Sequence, residues 1–166
     1  MNKKVLFITD SLEDLDLKKD TSILMMEESI KLGFDVYQCL VEDLYAENSE
    51  VIVFAKKITT VSTSEIKFED ASTHSIKTFE YSFMRKDPPV DEDYINALHL
   101  LGLAQAMGTK VFNNPVSIKE FNEKVFAIHF AKYIPETLIS SKIDKIKSFI
   151  KDKKEIVVKP LDGMGG

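Results

Sequence analysis

One cysteine stands among 166 residues, Cys39. The chain can close no disulfide on itself, and a thiolate zinc site lacks its ligand set. Nor do His74, His99 and His129 show metal-ligand spacing. His99 and His129 fall on apolar helical stretches and read as hydrogen-bonded structural histidines, and Cys39 reads as a small buried hydrophobe. No apolar run approaches the ~18–20 residues a membrane-crossing helix needs. Met1-Asn2-Lys3-Lys4 before Val5-Leu6-Phe7-Ile8 mimics a signal peptide, but the run is short and Asp10, Glu13 and Asp14 follow at once. A basic excess is missing too: 22 Lys and Arg against 27 Asp and Glu leave a net charge of −5, which argues against a nucleic-acid or membrane-surface binder. Repeats and low-complexity tracts are absent. What remains, 44% hydrophobic and 30% charged, is a soluble globular chain of one domain, or one plus part of another, with the cytoplasm as its expected place.

The pattern along the chain is α/β. Lys4 to Thr9 reads as a buried strand, and Asp10-Ser11 ends it where open α/β sheets place ligand contacts, at the carboxyl ends of strands. A polar loop follows. Asp20 or Thr21 caps a helix to about Leu32, Gly33 stops it, and Phe34 to Leu40 is a second strand, completing a βαβ unit. From Val41 to Phe83 the spacing turns β-rich, with strands expected at 51–55, 57–61 and 66–68 and a further one at Tyr81–Met84. Asp91 caps a helix over Glu92 to about Met107 that is apolar almost all round, which predicts burial by another element or another subunit. Lys110-Val111-Phe112 is a further strand. The Ser117/Glu120 spacing fits a capping box and predicts one helix to about Lys132. Thr137–Ile139 reads as a strand, Ile143 to Ile150 as a short helix, and Ile156-Val157-Val158 as a buried strand. The domain boundary is expected at Asn114 to Ser117.

Three segments have chemical content. The strand at Ile156–Val158 ends in Lys159, Pro160 breaks pairing, and three glycines stand among the last four residues, Gly163, Gly165 and Gly166. A cation at a strand end before a glycine loop suits a phosphate cradle, and a turn with a flexible tail is the equal alternative. Because a loop needs two anchors and this one has one, the chain is expected to be the front part of a longer protein. Arg85-Lys86-Asp87-Pro88-Pro89 sets two cations and an anion in a stiff loop, suited to a zwitterionic, carboxylate-bearing ligand; a surface turn with an internal ion pair is the competing reading. Leu17-Lys18-Lys19-Asp20-Thr21-Ser22 is a comparable loop at a helix N-terminus, where a simple cap is the alternative. Gly102…Gly108-Thr109-Lys110 echoes a phosphate loop but has the wrong gap, the wrong residue order and a helix-to-strand sense.

Together Met84-Arg85-Lys86-Asp87-Pro88-Pro89, Asn114-Pro115, Asn122-Glu123-Lys124, Pro135-Glu136-Thr137 and Lys159-Pro160-Leu161-Asp162-Gly163-Met164-Gly165-Gly166 resemble the prokaryotic glutathione synthetase family in identity, order and spacing, with Lys18 to Ser22 in support. The resemblance covers the whole chain and is weakest from Val41 to Lys77. It implies a Rossmann-like pre-ATP-grasp domain with a mainly parallel sheet at 1–116, followed at 117–166 by the first part of an ATP-grasp domain. The activity implied is ATP-dependent ligation of γ-glutamylcysteine and glycine through an acyl phosphate. ATP and Mg2+ are the implied cofactors. The magnesium ligands and catalytic groups are expected in a further stretch about as long again, so this chain is expected to hold no metal ligand and to be inactive alone. Lys124, Lys159, Gly163, Met164, Gly165 and Gly166 match the nucleotide-binding positions. Arg85, Lys18, Asp20 and Ser22 look like the dipeptide side. A homo-oligomer is expected at full length. The alternatives are another ATP-grasp amino-acid or peptide ligase, and a non-catalytic Rossmann-like binding module.

Overall fold

The computed structural model describes residues 2–153 and 155–163. The first strand, β1 (Lys4–Ile8), is its axis. Alternation sends Leu6 and Ile8 to one face of the sheet and Val5 and Phe7 to the other, and all four are buried. A strand apolar on both faces must lie between two layers. The layers are α1 (Thr21–Lys31), whose Ile23 and Met26 pack with Val5, Phe7 and Val36, and α2 (Glu92–Ala106), whose Ala97, Leu98, Leu101 and Ala104 pack with Leu6, Ile8 and Met84.

Parallel pairing joins β1 to β2 (Asp35–Cys39) on one side and to β7 (Tyr81–Met84) on the other, and β7 to β8 (Val111–Phe112). Beyond β2 the sheet is an antiparallel wing around β4 (Glu50–Val61), which pairs with β2, β3 (Leu44–Glu47), β5 (Ile66–Phe68) and β6 (Ser72–Ser75). The main order is β3-β4-β2-β1-β7-β8, an α/β fold with a parallel centre as expected. The two strands expected at 51–55 and 57–61 are one. β4 nonetheless changes face along its length: Val51, Val53 and Ala55 pack with α2, whereas Ile58 and Val61 pack with α1.

Downstream of β8 several expectations are corrected. The single helix predicted from Ser117 to Lys132 is broken. It starts earlier, as α3 (Pro115–Glu120), because Asn114 accepts the N–H groups of Val116 and Ser117 at 3.0 Å and Pro115 takes the first helical position. Ser117 lies inside the helix and is not its cap. Asn122 then caps a second short helix, α4 (Glu123–Phe126), and Ala127–Tyr133 is a 3-10 segment. An Asn side chain that takes two backbone N–H groups competes with helix continuation, which is why the run breaks there. Thr137–Ile139 and Ile156–Val158 are not strands; among the described residues neither has a ladder partner. The helix expected at Ile143 is present as α5 (Ile143–Asp152), with none of its residues buried.

Two smaller expectations also change. Helix α2 is covered on one face only by the described residues: that face is buried in the core, and Leu103 is exposed on the other. His99 is exposed, with Lys119 Nζ 3.2 Å from its Nδ1, and His129 is exposed against the Phe126 ring. Cys39 is buried as expected, and burial pushes its thiol pKa well up. No described helix is long and apolar enough to cross a membrane.

Candidate functional site

The chain leaves β1 toward β2 on one side, while β7 leads toward β8 on the other. Between β1 and β7 the order of the sheet reverses direction, and in open α/β sheets ligands bind at the carboxyl ends of such strands. Ile8 and Met84 are paired there, and the Arg85 N–H donates to the Ile8 carbonyl at 2.8 Å, so Arg85 continues the ladder into the crevice.

The N-terminus of α1 opens onto the same place. Asp20 caps it, its Oδ1 accepting the Ser22 N–H at 2.6 Å. The Arg85 guanidinium reaches that first turn, with Nη2 donating to Thr21 Oγ1 at 2.6 Å and Nε to Ser22 Oγ at 3.4 Å. Two hydroxyls thus orient a guanidinium without neutralising it, which leaves its charge for an anionic partner. Of the residues singled out in the sequence, Arg85, Asp20 and Ser22 are brought together. Ser22 is buried, so its hydroxyl acts on Arg85 from beneath. Lys18 is exposed, its backbone N–H donating to Asp16 Oδ1, and among the described residues it takes no part in the contacts around Arg85.

Two groups that the sequence reading did not assign complete the crevice. Asp10, two residues beyond β1, binds Lys86 Nζ through Oδ1 at 2.7 Å and accepts the Asp87 N–H through Oδ2 at 3.0 Å. Thr21 supplies the shorter of the two hydroxyl contacts. Asp10 was visible as a strand-end carboxylate, but its partner follows only from β1 lying beside β7. Burial raises the Asp87 carboxyl pKa, Asp10 and Asp20 add to the rise, and Arg85 and Lys86 oppose it. Acidic and basic groups therefore face the crevice together.

A second group of polar contacts forms where α4 meets the segment after Lys159. Lys124 Nζ donates to the carbonyls of Gly163 at 2.8 Å and Leu161 at 3.3 Å, and pairs with Glu123 Oε1 at 2.9 Å. Asn122 Nδ2 donates to the Leu161 carbonyl, and the Val90 N–H to that of Asp162, both at 2.9 Å. Lys124 and Gly163 are thus in contact. Lys159 is exposed two residues before this loop. A Cβ at Gly163 would come within 2.7 Å of Pro160 Cγ, so the turn is fitted to glycine. Met164, Gly165 and Gly166 lie outside the described residues. No group of three or more His, Cys, Asp or Glu side chains suited to a metal occurs among the described residues. A cleft of about 560 Å³ lies elsewhere, between the 3-10 segment and α5, and contains none of these polar groups.

Residues 3–119 match the family model described as "Prokaryotic glutathione synthetase, N-terminal domain", and residues 123–166 match "Prokaryotic glutathione synthetase, ATP-grasp domain". The chain belongs to the prokaryotic glutathione synthetase family. Among curated relatives it is 34% identical over 169 residues to a glutathione synthetase of Neisseria meningitidis serogroup A, covering 98% of this chain and 53% of the relative. It is 34% identical to one of Vibrio vulnificus (98% and 52%) and 33% identical to one of Buchnera aphidicola (99% and 52%). The chain spans about half the length of the curated relatives it matches.

Proposed function

We propose that this chain supplies the dipeptide side and the first nucleotide contacts of an ATP-dependent ligase that joins γ-glutamylcysteine to glycine. The observation that carries the reading is the Arg85 guanidinium, presented at the reversal of strand order and oriented by hydroxyls that leave its charge unspent. The reaction transfers the γ-phosphoryl group of ATP to a cysteinyl carboxylate oxygen, releasing ADP. The glycine amine then attacks the acyl carbon, the amide bond forms and phosphate leaves. The protein's task is to hold two anions in line and balance the charge on the transferring group. Arg85 holds the dipeptide carboxylate, Asp20 fixes the helix end, and Ser22 acts through Arg85; Lys18, at the loop's rim, adds long-range attraction. Lys124, Lys159 and the loop from Gly163 through Met164, Gly165 and Gly166 serve the triphosphate, with Lys124 exchanging loop carbonyls for phosphate oxygens when nucleotide arrives. Magnesium would neutralise phosphate charge, but the described residues do not form its site.

Ligation is assigned to a polypeptide of the relatives' length, in the cytoplasm, with a domain division near Asn114 to Ser117. Glutathione formed from ATP, magnesium, γ-glutamylcysteine and glycine by the protein as expressed from its own gene is the test. No glutathione above a control without protein overturns the reading. Self-association through the outer face of α2 belongs to the same proposal: Leu103→Lys, at an exposed position of that face, should lower the mass read by light scattering, and an unchanged mass rejects it.

A further inference from the structure

The loop that carries Arg85 contains a second cation, and the two are used differently. Lys86 is spent within the protein. Its ammonium is bound by Asp10 Oδ1 at 2.7 Å and also donates to the Asp87 carbonyl at 2.7 Å. The pair is partly withdrawn from solvent, with side-chain exposures of 19% for Lys86 and 29% for Asp10. The other Asp10 oxygen takes the Asp87 N–H. One carboxylate therefore ties Lys86 and Asp87, the two residues after Arg85, back to the end of β1, just past the last ladder bond from the Arg85 N–H to the Ile8 carbonyl.

Asp10 is itself pinned. Its carbonyl accepts from Thr9 Oγ1 at 2.8 Å and from Gln38 Nε2 at 3.3 Å, and Gln38 also donates to Thr9 Oγ1 at 3.1 Å. Thr9 and Gln38 are both buried. The chain of support runs from the core, through Gln38 and Thr9, to the Asp10 backbone carbonyl, and the Asp10 carboxylate extends it to the loop. A guanidinium on a loop fixed only by its own strand would swing through a wide arc; here the residues that follow it are held at two points.

We infer that Asp10 is the positioning residue for Arg85, and that Lys86 is its structural counter-ion and does not contact the ligand. This rests on the dipeptide reading above, so the test needs one arm that uses no ligand. Proton–nitrogen NMR of the protein, with Arg85 Nε–Hε and the Asp87 amide as reporters, is that arm. In Asp10→Ala the Asp87 amide should exchange faster and the Arg85 Nε–Hε signal should shift and lose intensity. Asp10→Asn, which keeps an acceptor for the Asp87 N–H but loses the ion pair, should fall between. Unchanged Arg85 and Asp87 signals in Asp10→Ala overturn the inference whatever the ligand does.

Calorimetric titration is the second arm. Asp10→Ala should weaken γ-glutamylcysteine binding about tenfold, the scale of coupling between groups in one polar network, and leave a non-hydrolysable ATP analogue's affinity unchanged. In an Arg85→Ala background the Asp10 substitution should add nothing, because there is no guanidinium left to position. An additive loss overturns the inference. If Asp10→Ala does not fold, Lys86→Met, which loses the ion pair and keeps the Asp10 acceptor for the Asp87 N–H, carries the same tests with the intermediate shifts expected of Asp10→Asn, and unchanged Arg85 signals overturn the inference. If the unmodified protein binds no γ-glutamylcysteine, the dipeptide reading fails, and the NMR arm still decides whether Asp10 holds Arg85.

Discussion

β1 and the segment Ile156-Val157-Val158 are made of the same residue types, yet Val5 to Ile8 are fully enclosed between two parallel neighbours, whereas Val157 and Val158 are 78% and 64% exposed. The helices repeat the contrast. α5 separates apolar and charged faces more sharply than α2, but α2 buries five residues and α5 none. An apolar strand-like run specifies a strand only when a ladder partner stands beside it, because β propensity chiefly records packing against neighbours. Among the described residues the buried apolar side chains run from Val5 to Val111, in the stretch that carries the β1–β7 crevice, with Pro115 alone beyond it. The contacts of Lys124 with the Leu161–Gly163 turn are polar and rest on no such core.

The largest effect that can break this comparison is in the core. Leu6→Ala and Leu98→Ala, both fully buried, should each cost ~2–5 kcal/mol of unfolding free energy. Ile143→Ala, 65% exposed on α5, should stay within about 0.5 kcal/mol. Urea denaturation followed by circular dichroism measures all three. An Ile143 cost equal to that of Leu6 would show that α5 is packed in solution and that the two regions do not differ as described.

A smaller effect separates the regions by ligand. Arg85→Ala should lose ~1.5–3 kcal/mol of γ-glutamylcysteine affinity, the worth of a charge-assisted hydrogen bond, or roughly ten- to hundredfold. Lys159→Met should lose about as much affinity for a non-hydrolysable ATP analogue in the full-length protein. Each should spare the other ligand. Lys159 is exposed and methionine keeps most of its aliphatic stem, so the melting temperature should not move. Calorimetry with each ligand, beside a thermal melt, gives the four values. Loss of both ligands in one variant would mean that the two clusters form a single site.

Much of the first region was legible because each signal there is local. Asp20 and Asp91 cap as their positions promise, each accepting a first-turn N–H. Gly33 has the positive φ, 82°, that a helix stop calls for. The Asp10–Lys86 pair was not legible, since it spans 76 positions and exists only because β7 chose β1 as neighbour. The Ser117/Glu120 capping box was misread for a physical reason. Asn114 offers its oxygen three residues earlier, and the helix forms on the first competent cap. Ile156–Val158 was misread because composition carries no information about a partner.

The smallest effect belongs to Asp87 and tests whether the crevice is tuned for a ligand at some cost to the fold. Burial raises its carboxyl pKa, with Asp10 and Asp20 adding to the rise and Arg85 and Lys86 only partly offsetting it. A carboxyl whose pKa is higher folded than unfolded is disfavoured as an anion in the native state. Above its folded pKa it therefore subtracts stability, and that subtraction fades as pH falls until both states are protonated, below the ordinary value of 3.8. Asp87→Asn carries no charge at any pH and keeps the backbone N–H that Asp10 accepts. It should melt slightly higher than the unmodified protein at neutral pH, and the two curves of melting temperature against pH should converge in acid. A variant that melts lower at neutral pH, or curves that stay parallel to pH 3 or so, would mean that the Asp87 anion is compensated in the fold, and the crevice would then carry no stored electrostatic cost for a ligand's cationic group to relieve.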